Sequence, residues 1–187
     1  MKHIVLLIFL MISLFGVEKE DIPTVMESKI NQSMNIIAQK ELSPQTKAEK
    51  IFPIFLDIFD YGLMTKLSLG KTNWNLMSPK QRDEFTEEFK KHLKKSYVDK
   101  ISLYTDEKLR IVELKEINKK RTWLVTQLIG SKDTYDITYK FYKSKADSWL
   151  IYDIDIIGIS LIQIYRAQFK NFLQNESYEA LLSKIKS

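Results

Sequence analysis

Apolar side chains recur at helical spacing through the first half of this chain and at alternate positions from Leu109 onward, so helices should precede a sheet. Residues 19–40 read as a helix with Val25, Met26, Ile30, Met34 and Ile37 on one face. Ser43–Pro44 opens a second helix, with a hydroxyl at the N-cap and Pro in the first helical position. Its body, Ile51–Phe59, is apolar nearly all round, which predicts burial on several sides. Pro53 should kink it, because Pro lacks an N–H and crowds the preceding turn. A short helix continues to Leu69, with Gly70 as a left-handed cap. Ser78-Pro79-Lys80-Gln81 carries a capping box and starts a long helix. Phe85, Phe89, Leu93, Tyr97 and Ile101 stripe that helix at a spacing of four, between Glu and Lys residues.

Period-two strands are predicted at Leu109–Ile117, Thr122–Ile129, Tyr135–Tyr142 and Trp149–Ile157. Gly130–Asp133 and Ser144–Asp147 read as turns, and the dense basic run Lys115–Arg121 as a hairpin loop. In the third strand Tyr135, Ile137, Tyr139 and Phe141 share a dry face. In the fourth, Leu150, Tyr152, Ile154 and Ile156 fall on one side, with Trp149, Ile151, Asp153 and Asp155 on the other. After Gly158 the spacing returns to three and four through Leu161, Ile164, Tyr165, Gln168, Phe169 and Phe172. The expected fold is α+β: a curved, antiparallel four-stranded meander packed with helices. A two-sided apolar strand running into an amphipathic helix needs a thick, oily interior.

Composition sharpens this picture. No repeat, low-complexity stretch or linker divides the 187 residues, so residues 17–187 form one domain. Residues 1–16 read as a signal peptide: Lys2, an apolar run over Ile4–Phe15, and Gly16 as a small residue for cleavage. The run is short for a bilayer span. The formal charge is +5, and losing Lys2 with the leader leaves +4 (28 minus 24). Lys alternates with Glu and Asp on the helices, so no clustered nucleic-acid face is expected. The chain has no cysteine, hence no disulfide framework.

Catalytic chemistry is thinly represented. One histidine, His92, follows the leader, and it sits in a charged stretch that reads as surface. There is no Cys/His cluster for zinc and no phosphate-cradling glycine loop. Asp57/Asp60 and Asp153/Asp155 are paired carboxylates. Structural pairing is the ordinary fate of such residues. A small-molecule enzyme using a pocket carboxylate such as Asp153 is the alternative kept open.

Three groups of residues carry a family resemblance. One is Asp60-Tyr61-Gly62 with Leu69-Gly70 and Trp74; the second is Gln81-Arg82, Phe85, Phe89, Leu93 and Tyr97. The third is Trp149, Tyr152-Asp153, Gly158, Ser160-Leu161 and Tyr165-Arg166, Gln168-Phe169. In this order and separation, over roughly residues 25–185, the chain resembles the MlaC family of periplasmic phospholipid carriers, also called toluene-tolerance proteins. The resemblance implies a nuclear transport factor 2-like cone enclosing an apolar cavity, and a monomer in the Gram-negative periplasm. It implies exchange of phospholipid with an inner-membrane MCE-domain/ABC transporter and an outer-membrane lipoprotein–porin complex. It also implies no enzyme activity, no cofactor or metal, and no nucleic-acid partner.

The residues suit lipid carriage. Exposing an acyl chain of about sixteen carbons to water costs on the order of 12 kcal/mol, at about 0.8 kcal/mol per methylene. A carrier must replace that burial with a dry cavity. The candidates for its wall are Phe55, Phe59 and Leu63 from the early helices, and Phe89, Leu93, Tyr97 and Ile101 from the long helix. From the sheet they are Ile111, Leu124, Leu128, Ile137, Tyr139, Tyr152, Ile154 and Ile156, with Leu161 and Tyr165 beyond. Arg166 is the candidate headgroup contact.

Overall fold

A computed structural model describes residues 16–102 and 107–186, apart from the side chains of residues 97 and 99–102. Among the described residues, six α-helices pack against a curved, unclosed antiparallel sheet. The chain begins with α1 (Ile22–Ile37) and α2 (Pro44–Ile51), a 3₁₀ turn (Phe52–Phe55), α3 (Tyr61–Leu76) and α4 (Pro79–Ser102). The sheet follows as β1 (Lys108–Asn118), β2 (Arg121–Ile129), β3 (Thr134–Lys143), β4 (Trp149–Ile156) and β5 (Ile159–Ser160), in spatial order 1-2-3-4-5. Helices α5 (Leu161–Phe172) and α6 (Tyr178–Lys186) close the chain.

The local signals at the helix starts operate as expected. Ser43 Oγ accepts from Thr46 N at 3.1 Å at the head of α2. At α4, Gln81 N donates to Ser78 Oγ (3.3 Å) while Ser78 N donates to Gln81 Oε1 (2.9 Å), a complete capping box. Ser78→Ala leaves Gln81 N without its side-chain acceptor. It should cost about 1 kcal/mol in chemical denaturation.

Other local expectations need correction. Ile51–Phe59 is not one kinked helix. The α-helix stops before Pro53, tightens into the 3₁₀ turn and unwinds through residues 56–60. Nor is that stretch buried all round: Ile58 is fully buried, but Phe52, Ile54, Phe55 and Phe59 are half-covered and Leu56 is exposed. Gly70 does take a positive φ (77°), but its ψ of 158° is not that of a left-handed cap. The chain re-enters a helical turn beyond it, and Asn73 Nδ2 donates back to Leu69 O at 3.1 Å. The basic run Lys115–Arg121 lies mostly in β1, and its turn is only Lys119–Lys120.

The sheet differs from expectation in two ways. A β-bulge at Tyr152 shifts the β3–β4 register, so that Lys140 pairs with Asp153 but Phe141 pairs with Ile151. Trp149 and Ile151 therefore join Ile154 and Ile156 on the face of Phe141 and Tyr139. Leu150, Asp153 and Asp155 stand on the other face. A fifth strand was also not expected. Ile157 (φ 54°) and Gly158 (φ 75°) form a two-residue turn of left-handed residues that folds β5 back onto β4.

Two clusters form the interior. One joins the sheet to α1 through Ile22, Met26, Ile30, Leu124, Phe141, Trp149 and Ile151. The other lies among α3–α6 around Phe85, Phe89, Tyr165, Phe169 and Leu181. Phe85, Phe89 and Leu93 are buried as their stripe predicts. In α5 the buried residues are Ile162, Tyr165 and Phe169, while Ile164 is exposed.

Three segments cover the outer edge of β4. Val17 and Trp149 exchange backbone bonds of 3.2 and 2.7 Å. Ile151 N donates to Ile58 O (2.7 Å) and Ile151 O accepts from Asp60 N (2.9 Å); β5 completes the row. Gly16 holds the start of this contact, its N–H on Asp57 O at 3.0 Å. A Cβ there would sit 2.8 Å from Ser148 Cβ. Residues 1–15 of the expected leader lie outside the described residues. Among the described residues, no helix is long and apolar enough to cross a membrane.

Candidate functional site

Where the 3₁₀ turn faces α4 and the sheet, the packing leaves an open cavity of about 260 Å³. Its wall draws Ile37 from α1, Ala48 and Ile51 from α2, and Phe52 and Phe55 from the 3₁₀ turn. Phe59 follows, with Tyr61 and Met64 of α3, Leu93 and Lys94 of α4, Tyr139, Ile154 and Leu161. Among the described residues lining it, Lys94 is the one charged side chain, and none is acidic. This explains the half-burial of Phe52, Phe55 and Phe59, whose outer surfaces face empty apolar space.

Aromatic contacts stiffen one wall. Phe59 stacks on Tyr61 with centroids 5.6 Å apart, Phe52 lies 5.7 Å from Tyr61, and Phe55 meets Phe59 edge-on at 6.1 Å. Burial pushes the Tyr61 phenol well above its ordinary pKa, as expected for a hydroxyl in a dry wall. From behind, Lys29 Nζ ties α1 to the end of the 3₁₀ segment through Ile54 O (2.5 Å) and Asp57 Oδ1 (2.7 Å).

Of the residues the sequence nominates, Phe55, Phe59, Leu93, Tyr139, Ile154 and Leu161 come together on this wall. Leu124 is fully buried in the sheet core, and Ile111 packs at its margin. Phe89 and Tyr165 meet edge-on at 4.9 Å inside the helical cluster. Leu63, Leu128 and Ile137 are half-buried away from the cavity, and Ile156 is exposed beside the β4–β5 turn. The bulge turns Tyr152 to the far side, where Arg121 Nη1 donates to its hydroxyl (3.0 Å) and the guanidinium covers its ring. The side chains of Tyr97 and Ile101 lie outside the described residues. Arg166 is exposed on α5 and also lies outside the cavity wall, its Nε 3.9 Å from where a Cβ on Gly70 would sit.

Sequence reasoning missed Ile37, Ala48, Ile51, Phe52, Tyr61, Met64 and Lys94 as wall residues. The one available signal was the all-round apolar run after Ile51, which marks contact with something greasy but cannot distinguish a packed neighbour from a void.

Asp153 has a different setting from the one a pocket base would need. It is 5% exposed and lies outside the cavity wall. Its Oδ1 accepts from Ile162 N (3.1 Å) in the first turn of α5, and its Oδ2 accepts from Ser160 Oγ (2.7 Å) and Lys140 Nζ (3.2 Å). Lys140 also reaches Asp155 at 2.7 Å. Burial works against the Lys140 charge, but the two carboxylates outweigh it and the pKa is raised. His92, expected at the surface, is half-buried against Tyr165, and burial lowers its pKa.

Comparison with known proteins gives the fold from one source and the family from another. No curated protein sequence matches the chain. A solved structure from Ralstonia solanacearum, a phospholipid-binding protein in complex with a phospholipid, superposes with a TM-score of 0.72. The two are 15% identical, over 91% of this chain and 95% of the other, so that likeness speaks for the fold. The family model described as MlaC protein matches residues 27–187, from within α1 to the end of the chain. The chain belongs to the MlaC protein family.

Proposed function

We propose that this protein is a soluble carrier that holds phospholipid in the cavity behind the 3₁₀ turn and carries it across the periplasm. The observation that carries this reading is the open cavity of about 260 Å³ with an almost wholly apolar wall. Family membership supports it, as does the fold shared with a protein that binds phospholipid. The leader read in residues 1–16 supports export. The donors and acceptors in this reading are an inner-membrane MCE-domain/ABC transporter and an outer-membrane lipoprotein–porin complex. The result would be maintained lipid asymmetry in the outer membrane. The carrier acts as a monomer, with no cofactor or covalent step.

The magnitudes make release possible as well as binding. If a methylene occupies about 30 Å³, close to a water molecule's share of the liquid, the cavity holds about nine of them. Their burial is worth roughly 7 kcal/mol. That replaces about half of what one acyl chain loses on leaving a bilayer, so full loading requires the cavity to widen. The end of α2 and the 3₁₀ turn are the elements best suited to yield, since Ile51, Phe52 and Phe55 are only half-covered. Protein purified from a cell envelope without added ligand should retain phospholipid, observed by native mass spectrometry. Repeated recovery of lipid-free protein that accepts none from vesicles would overturn the reading.

A further inference from the structure

Among the described residues, the cavity wall contains one cation and no carboxylate to balance it. Lys94 forms no hydrogen bond or ion pair among the described residues, although its neighbours are engaged. Lys91 pairs with Glu88 at 2.9 Å, and Lys47 donates to Ile37 O at 2.6 Å. One turn before Lys94, Lys90 lies over the ring of the wall residue Tyr61 at 5.5 Å and is only loosely paired with Glu87 at 3.8 Å. Two lysines spaced i, i+4 on one helix repel each other slightly, and an anion between or beside them would remove that penalty.

We propose that Lys94, assisted by Lys90, is the anion site of the cavity: it holds the negatively charged group of an amphiphile whose tail fills the apolar space. This inference rests on the carrier reading and adds to it a polar end of the pocket on α4. An ammonium on a flexible stem suits a group that must be held and then released, because it offers charge without a fixed fork geometry. The shared ligand chemistry is an anion on a hydrocarbon tail. A phospholipid phosphate and a fatty-acid carboxylate both provide it.

The test uses the full mature chain as wild type, Lys94→Gln and Lys94→Arg, each checked for native circular dichroism. Uptake is measured by native mass spectrometry from phosphatidylglycerol vesicles and, separately, from palmitate. Lys94→Gln should load about tenfold less, the scale of one charge-assisted contact, while Lys94→Arg loads close to wild type. Wild-type uptake should fall with added salt and the Gln variant should respond less. Loss with phosphatidylglycerol assigns the site to phosphate; loss with palmitate alone assigns it to carboxylate. Equal uptake by wild type and Lys94→Gln, with the same salt response, overturns the anion site while leaving the carrier reading intact. Failure of wild type to take up either amphiphile overturns both.

Discussion

Replacing Ile51 with Trp should nearly abolish lipid uptake while leaving the lipid-free protein as stable as wild type or slightly more stable. Ile51 lines the cavity at the junction of α2 and the 3₁₀ turn and is only half-covered, so an indole can swing into the void without displacing close-packed neighbours. Where such space is dry, each 10 Å³ filled is worth about 0.2 kcal/mol. Overpacking usually costs about 1–3 kcal/mol, but that figure belongs to filled cores. A tail competing for the same volume must expel the indole, and with about nine methylenes at stake the loss should exceed a hundredfold. Native mass spectrometry after incubation with vesicles gives the uptake, and thermal unfolding gives the stability. A stable Trp variant that loads normally would mean that tails lie elsewhere. A polar replacement such as Ile154→Asp is a weaker test, because it would also strain the sheet.

Asp153→Ala should lower stability by about 3 kcal/mol, the low end for removing one member of a buried ion pair. For a chain of this size that is a fall in Tm of roughly 10 °C. One carboxylate serves three donors: Lys140, the Ser160 hydroxyl and the backbone N–H of Ile162. Its loss strands the first turn of α5 and leaves half-buried Lys140 with Asp155 alone. Asp153→Asn keeps an acceptor for Ile162 N and should lose less. The folded fraction of either variant should still take up lipid, since Asp153 lies outside the cavity wall. A loss below about 1 kcal/mol for the Ala variant would show that α5 does not depend on this carboxylate.

How much of this was legible in the sequence varied with the range of the interaction. The capping box at Ser78 and the buried stripe of Phe85, Phe89 and Leu93 were readable because each is settled within a turn or two of helix. The four long strands were readable because period two is visible in their side chains. The bulge at Tyr152 left no mark. Its cause is tertiary: Tyr152 finds Arg121, Ile151 joins the core, and the intervening backbone takes up the mismatch. Strand β5 escaped notice because Ile is a poor residue for a left-handed turn, and its partner Gly158 is a weak signal alone. The cavity was legible as greasiness and illegible as emptiness. Nothing in the Ile51–Phe59 pattern reveals that the space beside the aromatic rings is unfilled, so Ile51 and Tyr61 were not picked as wall residues while well-packed Phe89 and Tyr165 were.

The edge of β4 has a consequence for the order of events in a newly made chain. Its neighbours come from positions 17, 58–60 and 159–160, so the seam gathers two early segments and the following short strand onto a strand that begins at Trp149. Closing such distant loops is entropically slow. Val17 cannot reach its hydrogen-bonding partner until four-fifths of the molecule has been synthesised. Until then the seam stays open, and this edge of the sheet is completed only when the last fifth of the chain arrives.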